Sequence, residues 1–182
     1  MPQGCRIRPA IPTDATALSR VHREAWRTTY AGILPLAVIA RESGRKSESQ
    51  WSRWLAGEKD DSRTLVAEVA GAGIVGFAFC GPSREPIESL EAEIYALYVL
   101  QPHQGHGVGR SLVQASARHF VRHGLFGFFL WVLRANRARL FYDAMGGQPV
   151  AEKTSSLGGH PFGQVAYAWH DLTALVEGSR VT

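Results

Sequence analysis

The chain has 182 residues, 45% of them hydrophobic, which suits one domain with a buried core. Its 20 basic and 16 acidic residues leave a net charge of only +4, and the basic residues are spread along the chain, which favours small anionic ligands over nucleic acid. Cys5 and Cys80 belong to no C-x-x-C or Cys/His pattern, and no run reaches the roughly 18 apolar residues of a membrane helix, so the expectation is a soluble, cytoplasmic protein without disulfides or structural zinc.

In chain order, "CRIRPA" reads as a short strand. A helix from Thr13 to Trp26 follows, with Thr13 or Asp14 as its cap and Leu18, Val21 and Ala25 on its apolar face. "LAVIARE" and "SESQWSRWLAG" predict one or two shorter helices, separated by the polar turn "ESGRKS". "TLVAEVA", "GIVGFAFCG" and "LEAEIYALYVL" are strand-like, the first two joined by a turn at Gly71 to Gly73. After a glycine-rich loop comes an amphipathic helix, with Leu112, Val113, Ala117 and Phe120 on one face and Arg110, Gln114, Arg118 and Arg122 on the other. Gly124 is placed to end it in the left-handed conformation. The strand "GFFLWVL", the helix "NRARLFYDAM" and the strands "QPVAEKTSSL" and "GQVAYAWHDL" follow, with a short ragged C-terminus. A strand, helix, strand succession needs a crossover, so part of the sheet is expected to be parallel.

The loop "QPHQGHGVGRS" enters the amphipathic helix through Gly105, Gly107 and Gly109. The first backbone N–H groups of a helix have no intrahelical partner, and the helix dipole adds positive charge there, so this is an anion site or simply a tight turn. A dinucleotide fingerprint counted from Gly105 requires glycine at position 110, which is Arg110, and a P-loop requires a lysine that is missing. Gln104-x-x-Gly107-x-Gly109 instead resembles the Q/R-x-x-G-x-G/A pyrophosphate loop of the GNAT superfamily, the acyl-CoA-dependent N-acetyltransferases. "EIYALYVLQPHQGHGVG" is similar to that family's central strand running into the loop, and "NRARLFYDAMGG" to its N-x-x-A-x-x-F-Y-x-x-x-G segment. With "AWRTTYAGILP" and "VAYAWHDL", the resemblance spans about residues 6–172 of a single N-acetyltransferase domain.

The resemblance implies an α/β fold: a mixed, mostly antiparallel sheet of six or seven strands with a central parallel splayed pair and about four flanking helices. It also implies acetyl-CoA as co-substrate. The main chain from Gln104 through Gly105, His106, Gly107, Val108, Gly109 and Arg110 to Ser111 would cradle the pyrophosphate. Leu97, Tyr98 and Val99 would pair with the pantetheine arm. Asn136 would help hold that arm or the loop that approaches it, and Arg139 and Phe141 would flank the coenzyme or pack the helix.

Glu93 matches the position of a general base in several relatives, with Glu91 in reserve two residues earlier; either is alternatively an exposed or ion-paired strand residue. Tyr142 matches the family's general-acid tyrosine, or is a packed tyrosine satisfied locally. Trp26 and Tyr30 stand where the first helices wall the acceptor cleft, or belong to the core. His119 and His123 have i, i+4 spacing, but no third ligand accompanies them and no metal is expected. The absence of a G-x-S-x-G elbow and of a cysteine with a matching histidine favours direct transfer to a primary amine of a small molecule or peptide in a ternary complex. The alternative is a non-catalytic acyl-CoA-binding sensor. The sequence leaves a homodimer open and specifies no interface for it.

Overall fold

The computed structural model describes residues 4–59 and 61–177; the expected ragged C-terminus lies outside the described residues from position 178 onward. The elements are β1 (Cys5–Pro9), α1 (Ala15–Tyr30), α2 (Leu36–Ser43), α3 (Glu48–Ala56), β2 (Arg63–Val69), β3 (Gly73–Ile87), β4 (Leu90–Val99), α4 (Val108–Arg122), β5 (Phe128–Leu133), α5 (Ala138–Ala144), β6 (Gln148–Leu157), β7 (His160–Trp169) and α6 (Thr173–Glu177). The seven strands lie in the order β1-β2-β3-β4-β5-β7-β6. Every neighbouring pair is antiparallel except β4 and β5. No helix among the described residues is long and apolar enough to cross a membrane.

Local chemistry accounts for most element ends. Ser47 and Gln50 form a reciprocal capping box that starts α3. At the other end of α4, Gly124 adopts φ 77° while the N–H groups of Gly124 and Leu125 return to the carbonyls of Val121 and Phe120, a left-handed stop. Asp14 does not cap α1 as expected: its carboxylate takes the Ile11 N–H at 2.9 Å and the Arg8 guanidinium at 2.7 Å, tying the helix start to β1. α1 continues to Tyr30, four residues beyond the predicted end, because Trp26 and Tyr30 pack on α2 and the sheet.

Two differences from the sequence reading affect the site. Among the described residues there are six α-helices where about four were expected: of the one or two shorter helices expected after α1 both are present as α2 and α3, and α6 is additional. β3 also runs on past the predicted strand end at Gly81 to Ile87. Tertiary contacts extend it: the Tyr95 hydroxyl donates to the Pro82 carbonyl, and Arg84 pairs with Glu93 across the β3/β4 hairpin.

The sheet is covered on both faces. Val113, Ala117 and Phe120 of α4 and Tyr142 of α5 pack on Phe128, Leu130 and Val132 of β5 and on Val165, Tyr167 and Trp169 of β7. The alternate β5 residues point the other way by the two-residue period of a strand. Leu133 there meets Leu34, Val38 and Ile39 of the α2 region, and Trp131 and Phe129 form a smaller cluster with Leu90 and Ala168.

Candidate active site

The parallel pair β4/β5 has one registered contact among the described residues, Glu93 opposite Phe129. Beyond it the strands part. β4 stays paired to β3 on its other side, where Ala96 to Val99 face Phe79 to Gly76. An irregularity between Phe79 and Cys80, opposite Tyr95, bends β4 at this point. The backbone of Leu97, Tyr98 and Val99 thus borders a V-shaped gap, and the Gln104 side-chain amide donates into that gap to the Val99 carbonyl at 2.9 Å.

The glycine loop closes the wide end. Gly105 and Gly107 have φ 75° and 81°, which side-chain-bearing residues rarely adopt. Gly107 is the N-cap of α4 and makes no side-chain cap. The first intrahelical bond runs from the Ser111 N–H to the Gly107 carbonyl, so the N–H groups of Val108, Gly109 and Arg110 have no helical partner. Val108 and Ser111 have buried side chains and present main chain only, Arg110 is exposed, and His106 shapes the loop by bonding the Gln104 carbonyl through Nδ1 at 2.7 Å. Gly109 is needed for another reason: a Cβ there would lie 3.3 Å from the Phe141 ring, so Phe141 packs α5 onto the first turn of α4. A 15-residue helix with an uncapped N-terminus beside a free strand edge fits a pyrophosphate with an amide-rich arm.

Two titratable groups stand on opposite faces of the sheet near the parting strands. Glu93 is 2% exposed. Its Oε2 accepts from Arg84 Nε at 3.1 Å and from the Arg84 main-chain N–H at 3.3 Å, and its Oε1 accepts from Arg84 Nη2. A carboxylate has about four acceptor positions, so one remains after Arg84 has taken three. Tyr142, on the α4/α5 face, stacks near Tyr167 and Trp169. The hydroxyls of Tyr30 and Tyr98 approach to 3.3 Å, Tyr95 bonds to Pro82, and Tyr167 accepts from Arg139, whereas the Tyr142 hydroxyl has no hydrogen-bond partner among the described residues. Burial, then the field of Tyr30, pushes the Tyr142 hydroxyl well above the ordinary phenol range. Tyr98 is raised too, by burial first and then by Tyr30 and Tyr142.

The remaining predicted residues divide. The Trp26 and Tyr30 rings are tilted against each other with centroids 4.4 Å apart and, with His22 and Tyr98, form a half-buried aromatic wall on the α1 side. Asn136 Oδ1 accepts from the Ala138 N–H at the start of α5, and Arg139 bonds Tyr167 and the Arg134 carbonyl, so both side chains already hold α5 in place. Glu91 is exposed in a separate depression with Gly124, Phe126 and His170, away from Glu93. His119 and His123 each bond a main-chain carbonyl, of Asp61 and of His119.

In front of Glu93 lies a cleft of about 290 Å³ lined by Arg84, Glu85, Glu93, Trp131, Lys153 and Gln164. Arg84, Glu85, Lys153 and Gln164 were not legible as site residues, because they come from three strands distant in sequence and carry no local motif. The antiparallel β6/β7 register places Lys153 beside Gln164.

Residues 19–146 match the family described as Acetyltransferase (GNAT) family. The chain is 34% identical over 170 residues to an uncharacterized N-acetyltransferase, YuaI, of Bacillus subtilis, covering 93% of this chain and 95% of that one. Its fold is similar to PaiA N-acetyltransferase from Thermoplasma acidophilum in complex with coenzyme A, with TM-score 0.69, 22% identity and 91% and 99% of the two chains covered. It is also similar to yncA, a putative acetyltransferase from Salmonella typhimurium with its cofactor acetyl-CoA, with TM-score 0.69, 21% identity and 94% and 96% covered. The chain belongs to the GNAT family of acetyltransferases.

Proposed function

We propose that this acyltransferase moves the acetyl group of acetyl-CoA to a primary amine of a small molecule or peptide, by direct attack in a ternary complex. The observation that carries the reading is the uncapped, Gly107-initiated N-terminus of α4 beside the open edge of β4, with buried Glu93 on one face of the sheet and, on the other, a Tyr142 hydroxyl that has no hydrogen-bond partner among the described residues. The coenzyme A and acetyl-CoA carried by two structural relatives support it. The N–H groups of Val108, Gly109 and Arg110 would hold the pyrophosphate, and the β4 edge at Leu97 to Val99 the pantetheine, with Gln104 releasing the Val99 carbonyl.

A lysine-like amine with a pKa of about 10.4 is protonated at pH 7, and removing that proton costs about 4 to 5 kcal/mol. Glu93 receives it, directly or through water, at its one remaining acceptor position. As the amine nitrogen bonds to the acetyl carbonyl carbon and the carbon–sulfur bond breaks, Tyr142 donates its hydroxyl proton to the departing sulfur. Burial suits Tyr142 to this, because it keeps the hydroxyl protonated over the working pH range. Trp26 and Tyr30 wall the amine side.

Free-thiol release from acetyl-CoA, measured across an amine panel for the wild type, Glu93→Gln and Tyr142→Phe, tests the reading. Amine-dependent release that both substitutions depress is expected. Coenzyme A binding with no amine-dependent release on any acceptor would overturn it in favour of an acyl-CoA-binding sensor.

A further inference from the structure

The cleft in front of Glu93 has a charge pattern that selects among amines. It contains two carboxylates, Glu85 and Glu93, and two cations, Arg84 and Lys153, around the Trp131 ring. The two ion pairs are unequal. Arg84 is fixed on buried Glu93 through three contacts. Lys153 rests on Glu85 at 3.7 Å, and the Glu85 side chain is 85% exposed, so this pair is loose. The Lys153 ammonium lies 4.1 Å above the Trp131 ring centroid, a second contact that keeps it at the cleft beside its loose pair with Glu85. Beside it, Gln164 accepts from the Ser155 hydroxyl through Oε1 at 2.8 Å, which leaves its amide N–H groups to donate.

One wall therefore offers a carboxylate acceptor and the facing wall a loosely held ammonium with an amide donor. A second positive charge on the acceptor would meet Lys153 and Arg84, and a purely anionic molecule would meet Glu93 and Glu85. At about 290 Å³ the cleft sits at the lower end of the range for small-molecule pockets. We propose that the acceptor is a small zwitterion, a free amino acid or close analogue, whose amine faces Glu93 while its carboxylate takes Lys153 from Glu85 and is bonded by Gln164. This rests on the acetyl-transfer reading and specifies the acceptor class for it.

The test uses matched trios: L-amino acids with small, apolar, aromatic, acidic and basic side chains, each with its carboxamide and its decarboxylated amine, followed by thiol release from acetyl-CoA. For at least one side-chain class, kcat/KM for the acid is expected to exceed that of both partners about tenfold or more. In Lys153→Met that ratio should fall to within about threefold of unity, and Lys153→Arg should keep it. Coenzyme A affinity and circular dichroism confirm that each variant is folded. Transfer to carboxamides or decarboxylated amines as fast as to the acids, or a ratio untouched by Lys153→Met, overturns the zwitterion assignment and leaves acetyl transfer standing. No transfer to any member of any trio overturns the zwitterion assignment, while acetyl transfer itself stands or falls on the wider amine panel.

Discussion

Arg84, on the extension of β3, holds both oxygens of the Glu93 carboxylate across the β3/β4 hairpin. Glu93 is buried and Arg84 is about two-thirds exposed at its side chain, so the pair faces the cleft on one side only. Arg84→Gln leaves a buried carboxylate short of donors and is expected to lower stability by about 1 to 3 kcal/mol, below the figure for a fully buried pair because solvent reaches the arginine. Chemical denaturation of the variant measures this. Glu93→Gln should instead reduce kcat by about 10² to 10⁴ with coenzyme A affinity retained. Normal turnover in that variant would remove Glu93 from the chemistry.

Tyr142→Phe separates packing from catalysis. The ring is buried among Tyr167, Trp169 and Phe141, while the hydroxyl has no partner among the described residues, so losing the oxygen should change stability by less than about 1 kcal/mol. Turnover should nevertheless fall about 10²-fold or more. Because burial holds this phenol above its usual range, Tyr142 remains a donor at mildly alkaline pH, and the alkaline limb of kcat should not shift in Tyr142→Phe. A melting temperature reduced by many degrees with turnover kept would make Tyr142 purely a core residue.

Gly107 and Gly109 should fail differently. At Gly107 the φ of 81° makes Gly107→Ala strained by about 1 to 2 kcal/mol and displaces the N–H groups of the first turn, weakening coenzyme A binding. At Gly109 the backbone is ordinary, and the obstacle to Gly109→Ala is the Phe141 ring 3.3 Å away. Phe141→Leu should therefore recover part of the affinity lost in Gly109→Ala and none of that lost in Gly107→Ala. Calorimetric titration of coenzyme A into the four variants checks it, and equal rescue at both positions would contradict it.

His22 gives the fold a pH dependence of its own. It lies among Trp26, Trp51, Phe77 and Tyr98, its Nδ1 is buried with no hydrogen-bond partner among the described residues, and burial, reinforced by Lys46, lowers its pKa to about 4. Glu42 and the Ser43 main chain oppose the shift without cancelling it. The unfolded chain binds this proton near pH 6.5 and the folded chain only near pH 4. Stability is therefore complete above about 6.5 and declines as pH falls towards 4, by at most about 3 kcal/mol from this group. Urea melts between pH 4.5 and 7.5 should show the slope in the wild type and a reduced slope in His22→Phe.

What the sequence determined is local. The helix from Val108 with its glycine start, the left-handed stop at Gly124, the apolar β5 and the crossover that makes β4 and β5 parallel all follow from short-range patterns, since spacing, capping and positive-φ residues act within a few positions. The tertiary structure decided what depends on contacts between distant segments. It extended β3 so that Arg84 meets Glu93, and it engaged the hydroxyls of Tyr30 and Tyr98, 68 residues apart, with each other. It used the side chains of Asn136 and Arg139 to brace α5, and it brought Lys153 and Gln164 to the cleft that Glu93 faces. No periodicity encodes such meetings, because a polar residue on a strand looks the same in sequence whether its partner across the sheet is water, a cation or an open cleft.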